Sequence, residues 1–227
     1  MKTVWDQTGA RKYETGVDQA VLFVMDDAGV YGKGEAWNGL ISVNEKPSGG
    51  EATAKYANNK KYLNLVAAEQ FGCTIEAFTY PDGWEQCDGI AELANGITIG
   101  QQRRHTFALC YRTLVGNDVE GDSFGAKYHF MWGGLAKPSE KPHTTVNESP
   151  EAATMSWEVT TTAIDVEGFK PTASLTVDTT TLTEAQLAKL PDLLDLVYGT
   201  DGTPGTDAKM PTPAEIVDPS GDHSTSL

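Results

Sequence analysis

What most constrains this chain is a rhythm. Short apolar runs recur every 10 to 20 residues along its 227 positions, and clusters of Gly, Asn, Asp and Pro separate them. That spacing is the mark of antiparallel sheets. Gln19 to Met25, the turn-rich DDAGVYGKGE and Trp37 to Asn44 read as an early hairpin. From Phe71 to Tyr80, Cys73, Ile75 and Ala77 alternate with Thr74, Glu76 and Phe78, as in a strand with one face buried. His105 to Val115 and Lys127 to Trp132 flank GNDVEGDSFG and predict a second hairpin. Met155, Trp157 and Val159, then Ala173, Leu175 and Val177 after the DVEG turn, predict a third. Hairpins of this kind need a second sheet over their apolar faces, so the expected fold is mainly β, an antiparallel sandwich or barrel.

Two stretches break the rhythm. Asn44 to Tyr62, NEKPSGGEATAKYANNKKY, is polar and Gly-rich and reads as a long inter-strand loop of about 19 residues. Loops of that size in compact domains are functional or disordered, and this one is the first candidate for an assembly element. The other break is Thr183 to Val197. Thr183 and Gln186 match a capping box there, and Leu187, Leu190, Leu194 and Val197 recur at helical spacing. Pro191 is expected to kink this helix or start a second one, and Gly199 to end it. Beyond it, a tail rich in Pro, Gly, Asp and Thr has the composition of an arm that a partner orders. The chain thus divides into a β-domain over 1–197 and a C-terminal arm over 198–227.

Composition narrows the function classes. The 32 acidic residues outnumber 17 basic ones, for a net charge of −15, which opposes gripping of nucleic acid, because phosphate binding rests on clustered Lys and Arg. The first 30 residues show no charged segment leading into an apolar stretch, and no run reaches membrane-spanning length. The expectation is a protein without membrane insertion. Cys73, Cys87 and Cys110 are odd in number and lack ligand spacing, the pattern of free thiols in a reducing compartment.

Catalytic markers are missing. His105, His129, His143 and His223 form no metal-binding pattern, and the chain has no GxSxG elbow, P-loop or dinucleotide fingerprint. Asp118, Glu120 and Asp122 resemble the start of a calcium loop, yet Ser123 and His129 occupy the positions that need Gly and Glu, so a hairpin turn is the better reading. Trp5, Trp37, Trp84, Trp132 and Trp157 are candidate sugar platforms, but Trp132 and Trp157 share strand faces with aliphatic neighbours, as core residues do. No catalytic residue, cofactor or metal is expected, which leaves binding or assembly.

Several strings in fixed order are more specific: YETGVDQAVL, WNGLISVNEKPSGGEATAKYANNKKYLNL, EAFTYPDGWEQCDG, ITIGQQRRHTFALCYRTLVGND, SPEAATMSWEVTTTAIDVEGFKPTASLTVD and LPDLLDLVYGTDGT. Across residues 1 to 202 the chain resembles the major tail tube proteins of siphophages infecting Gram-positive bacteria. The resemblance implies a β-sandwich or barrel with one flanking helix, six copies per ring, and rings stacked into a tube. DNA would pass through the lumen without specific binding. It implies tail terminator, tape measure and distal tail proteins as partners, a place in the virion tail, and synthesis in the bacterial host cytoplasm. Carried over by position, the bridging loop is Asn44 to Tyr62, with Asn44, Lys46, Ser48, Tyr56, Lys60, Lys61 and Tyr62 as contact residues. The arm runs from Tyr198 and includes Asp201, Pro211 and Ile216. Two other readings stay open: a similar tube in a prophage-derived injection device, and a carbohydrate-binding β-sandwich, which requires exposed coplanar Trp side chains.

Overall fold

A computed structural model describes residues 2–145 and 152–221, so His223 lies outside the described residues. In chain order the strands begin with β1 (Lys12–Val24), β2 (Glu35–Ala36), β3 (Leu40–Glu45), β4 (Ser48–Gly49), β5 (Ala52–Ala57), β6 (Lys60–Val66), β7 (Glu69–Gln70) and β8 (Gly72–Ala77). A one-turn helix α1 (Trp84–Cys87) precedes β9 (Ala91–Ala94), β10 (Ile97–Ile99), β11 (Phe107–Asn117), β12 (Gly121–Ala136), β13 (Met155–Thr161) and β14 (Ser174–Asp178). Helices α2 (Glu184–Tyr198) and α3 (Pro213–Val217) follow. The fold is mainly β and antiparallel. Its principal sheet runs β2-β1-β11-β12-β13-β8-β3, with β14 also paired to β12. β3 returns against β1 without pairing to it, so the sheet curls into an incompletely closed barrel.

Two cores explain why some strands alternate and others do not. The inner core joins Ala20, Leu22, Ile75, Phe107, Leu109, Met131, Trp157 and Val159 across the curl. The outer core lies on the opposite face of β1, β11 and β12, where Val21, Phe23, Ala108, Cys110, Phe130 and Trp132 meet α2 and the C-terminal segment. Strands buried on both faces read as continuous apolar runs, AVLF and FALCY, whereas β8 and β13, with one buried face, alternate as the sequence predicts. At the centre of the inner core Trp84 stands edge-on to Trp157 at 5.1 Å and to Phe107 at 4.9 Å. Such tilted contacts match the positive ring edge of one aromatic to the negative face of another.

The structure corrects several local expectations. The hairpin around GNDVEGDSFG forms, with Asn117 opposite Gly121. The early hairpin forms only in part: β1 pairs with β2 across that turn, Val21 opposite Ala36, and the Trp37 N–H donates to the Ala20 carbonyl. β3 leaves to pair with β8, and β1 takes β11 as its other neighbour. The third hairpin closes only at a bridge between Ile164 and Thr172, since β13 and β14 pair with successive parts of β12 rather than with each other. The switch falls at Gly133, whose φ of 62° and close approach to the Thr162 carbonyl leave no room for a Cβ. Helix α2 has both halves of its capping box, Thr183 with Gln186, and Gly199 as C-cap. It continues through Pro191 instead of breaking. Its buried positions are Leu193 and Val197, whereas Leu187 is exposed. α1 and α3 add short helices where one was expected.

Candidate self-assembly surface

The stretch read as a long loop is a hairpin. Two residues of β4 pair with β7 as its base, and β5 pairs with β6 along the arm, from Ala52 opposite Val66 to Ala57 opposite Lys60. Asn58 and Asn59 close the tip with φ of 51° and 59°, the paired left-handed conformation of a two-residue turn matched to strand twist. Asn tolerates that conformation better than most residues, so ANNK between two strand-length segments was the signal that a polar-composition reading passes over.

The candidate contact residues fall along this one structure. Asn44 sits at the end of β3, where its side-chain amide donates to Ser42 Oγ at 3.0 Å. Lys46 follows, its backbone N–H donating to the Gly72 carbonyl at 2.7 Å. Ser48 lies in the base, and Tyr56, Lys60, Lys61 and Tyr62 flank the tip. Sequence reasoning missed Lys55, Leu63, Leu65 and Val66. Every residue of β6 is exposed, including Val66 at 66% and Leu65 at 54%, and Tyr56 and Tyr62 stand at 74% and 68%. None of the ion pairs among the described residues involves Lys55, Lys60 or Lys61. The hairpin thus presents three cations and no carboxylate between Ala52 and Val66, in a chain of net charge −15.

Part of the candidate arm packs into the core, although residues 201–207 are exposed. Tyr198 is the last residue of α2 and packs on the outer cluster, and burial raises its phenol pKa. Asp201 is exposed. The Pro211 carbonyl accepts a hydrogen bond from Trp132 Nε1 at 3.1 Å, and Met210 and Ile216 are buried beside it. Thr212 and Glu215 form a second capping box over α3. The described part of the tail, through Gly221, therefore seals the outer face. Its few apolar residues suffice because they land on one exposed aromatic-rich sheet face.

A second small hairpin, β9 with β10, also stands free, with Leu93, Ile97 and Ile99 exposed. Between it and α1 lies an open groove of about 860 Å³. Glu35, Asp82, Glu85 and Glu92 line it against a single cation, Arg103, which pairs with Asp27 at 2.8 Å. Asp82, Glu85 and Glu92 are close in sequence but match no ligand spacing, and Glu35 joins them from a distant segment.

Several other titratable groups are held in structural contacts. His129 stacks on Tyr111 with ring centroids 4.6 Å apart, and its two ring nitrogens lie 3.6 Å from Glu14 and Glu45. Burial lowers its pKa, against the pull of the two carboxylates. Cys73, Cys87 and Cys110 are buried and unpaired, and desolvation pushes Cys73 and Cys87 up to about 12. Thiols so protonated are poor nucleophiles. Trp37, Trp84, Trp132 and Trp157 are buried, and Trp5 alone among the tryptophans is exposed, so a coplanar sugar platform does not form. Among the described residues no helix is long and apolar enough to cross a membrane.

No protein-family model matches the chain, and no curated protein matches it. Among solved structures, a chain of the sheath–tube complex of an extracellular contractile injection system (PVC, extended state) aligns at 11% identity and a TM-score of 0.36. It covers 70% of this chain and 88% of its own. A chain of the six-fold symmetrised anti-feeding prophage (AFP) baseplate aligns at 11% identity and a TM-score of 0.36, covering 80% and 100%. Similarity at that level transfers no role to this chain.

Proposed function

We propose that this protein is a tail tube subunit, which assembles with copies of itself into stacked rings around a lumen that passes phage DNA. The observation that carries the reading is the β4–β7 hairpin. An isolated two-stranded hairpin is marginal in water, and this one leaves Tyr56, Tyr62, Leu63, Leu65 and Val66 uncovered beside a core that is already complete. A partner surface would supply the missing burial. The ordered resemblance of residues 1 to 202 to siphophage major tail tube proteins supports the same reading, with six copies per ring.

Polar tubes require heterologous contacts, in which one patch meets a different patch on the next copy, so that rotation closes a ring while translation leaves the stack open. The outer edges of β3 and β14 carry no further strand among the described residues. Edge-to-edge pairing there would satisfy backbone groups that otherwise invite uncontrolled association. The acid excess suits a bore that repels phosphate and does not stall a moving duplex. Negative-stain electron microscopy of the purified protein, concentrated and seeded with tail initiation complex, tests the assignment. Hollow tubes or six-fold rings are the expected result, and monomers persisting under seeding would overturn it.

A further inference from the structure

The two free hairpins carry opposite chemistry. The β5–β6 arm offers Lys55, Lys60 and Lys61 around exposed Tyr56 and Tyr62. The groove beside β9 and β10 offers Glu35, Asp82, Glu85 and Glu92, with Ile90 and Ala91 also in its wall. Among the described residues no strand pairing or ion pair joins the two within one chain. The lining is mostly polar and the groove is open, unlike the enclosed apolar pockets that hold small molecules.

We infer that the acidic groove is the receptor for the β5–β6 hairpin of a second copy of this chain. This rests on the tube reading and assigns its two mating patches. The tip lysines sit among the groove carboxylates, and the hairpin's exposed tyrosines cover Ile90 and Ala91 in the groove wall. Complementary charge fixes which surfaces meet and in which register. Because hairpin and groove are different patches, the contact is head-to-tail and propagates from copy to copy.

Three proteins test it: wild type, Lys60→Glu/Lys61→Glu, and Glu85→Lys/Glu92→Lys, each checked by circular dichroism for an unchanged fold. Association is read by sedimentation and microscopy at about 0.15 M salt, where exposed charges still act over roughly 8 Å. Each double variant alone is expected to associate on the order of tenfold more weakly than wild type, and an equimolar mixture of the two to recover most of that loss. Carbodiimide treatment of wild-type assemblies should couple Lys60 or Lys61 to Glu85 or Glu92 between copies. If wild type assembles but the variants do so equally well, or the mixture gains nothing over either alone, the pairing is wrong and the tube reading stands. If seeded wild type never assembles, both fall.

Discussion

Trp157 shows what one side chain holds together. It lies fully buried at the meeting of Trp37, Trp84 and Tyr80, with ring centroids 6.0, 5.1 and 5.9 Å away. Trp157→Ala should cost about 3–5 kcal/mol, seen as a lower denaturant midpoint at unchanged slope. His129 makes a pH prediction. Because burial lowers its pKa in the fold, the unfolded chain binds more protons as pH falls through the ordinary histidine value of about 6.5, and stability drops there. Glu14 adds loss of the same sign at lower pH: burial pushes its carboxyl pKa up, but hydrogen bonds from Lys127 and Thr113 outweigh that and leave it lowered overall. Melting temperature should therefore fall between pH 7.5 and 5.5, and His129→Gln should flatten that slope; an unchanged slope would remove His129 as its source. Single positions differ in how legible they were. Cys73, Ile75 and Ala77 declared a buried face by alternation, but Leu187 looked core by helical spacing and is exposed, because the sheet presents itself to Leu193 instead.

At the scale of elements, the hairpin turn separates folding from assembly. Asn58→Pro with Asn59→Pro cannot adopt the positive φ both positions need. The variant should unravel β5 and β6 while its melting temperature stays within about 2 °C of wild type, since neither core uses those strands. Tube formation should be lost; tubes at wild-type yield would show that the arm takes no part. The C-terminal segment should behave in the opposite way. Thr212→Ala removes a helix cap worth about 1 kcal/mol, and that loss should appear in global unfolding because Met210 and Ile216 belong to the outer core. The α2 capping box and the Asn117–Gly121 hairpin were readable because both are decided by residues within a few positions of one another. The strand partners of β1, β3, β13 and β14 were not, since each lies across the sheet.

For the whole molecule, charge is the property that sequence reports as a sum and structure distributes. A net charge of −15 hides a cationic arm and a carboxylate-lined groove on separate hairpins. If the assembled tube conducts DNA, its inner surface should be predominantly acidic in a symmetrised reconstruction, and a basic lining would refute the repelling bore. Periodicity determined that the chain is mainly β and which strands have one wet face, and the Thr183–Gln186 capping box with Gly199 determined where α2 begins and ends. These depend on backbone preference and near-neighbour spacing, which any window of sequence contains. Only the tertiary structure decided that β1, β11 and β12 are covered on both faces, that the polar tail completes the outer core, and that a supposed loop is a hairpin left uncovered. Burial is a property of surfaces brought together from distant parts of the chain, and composition carries no record of which surface will find a cover.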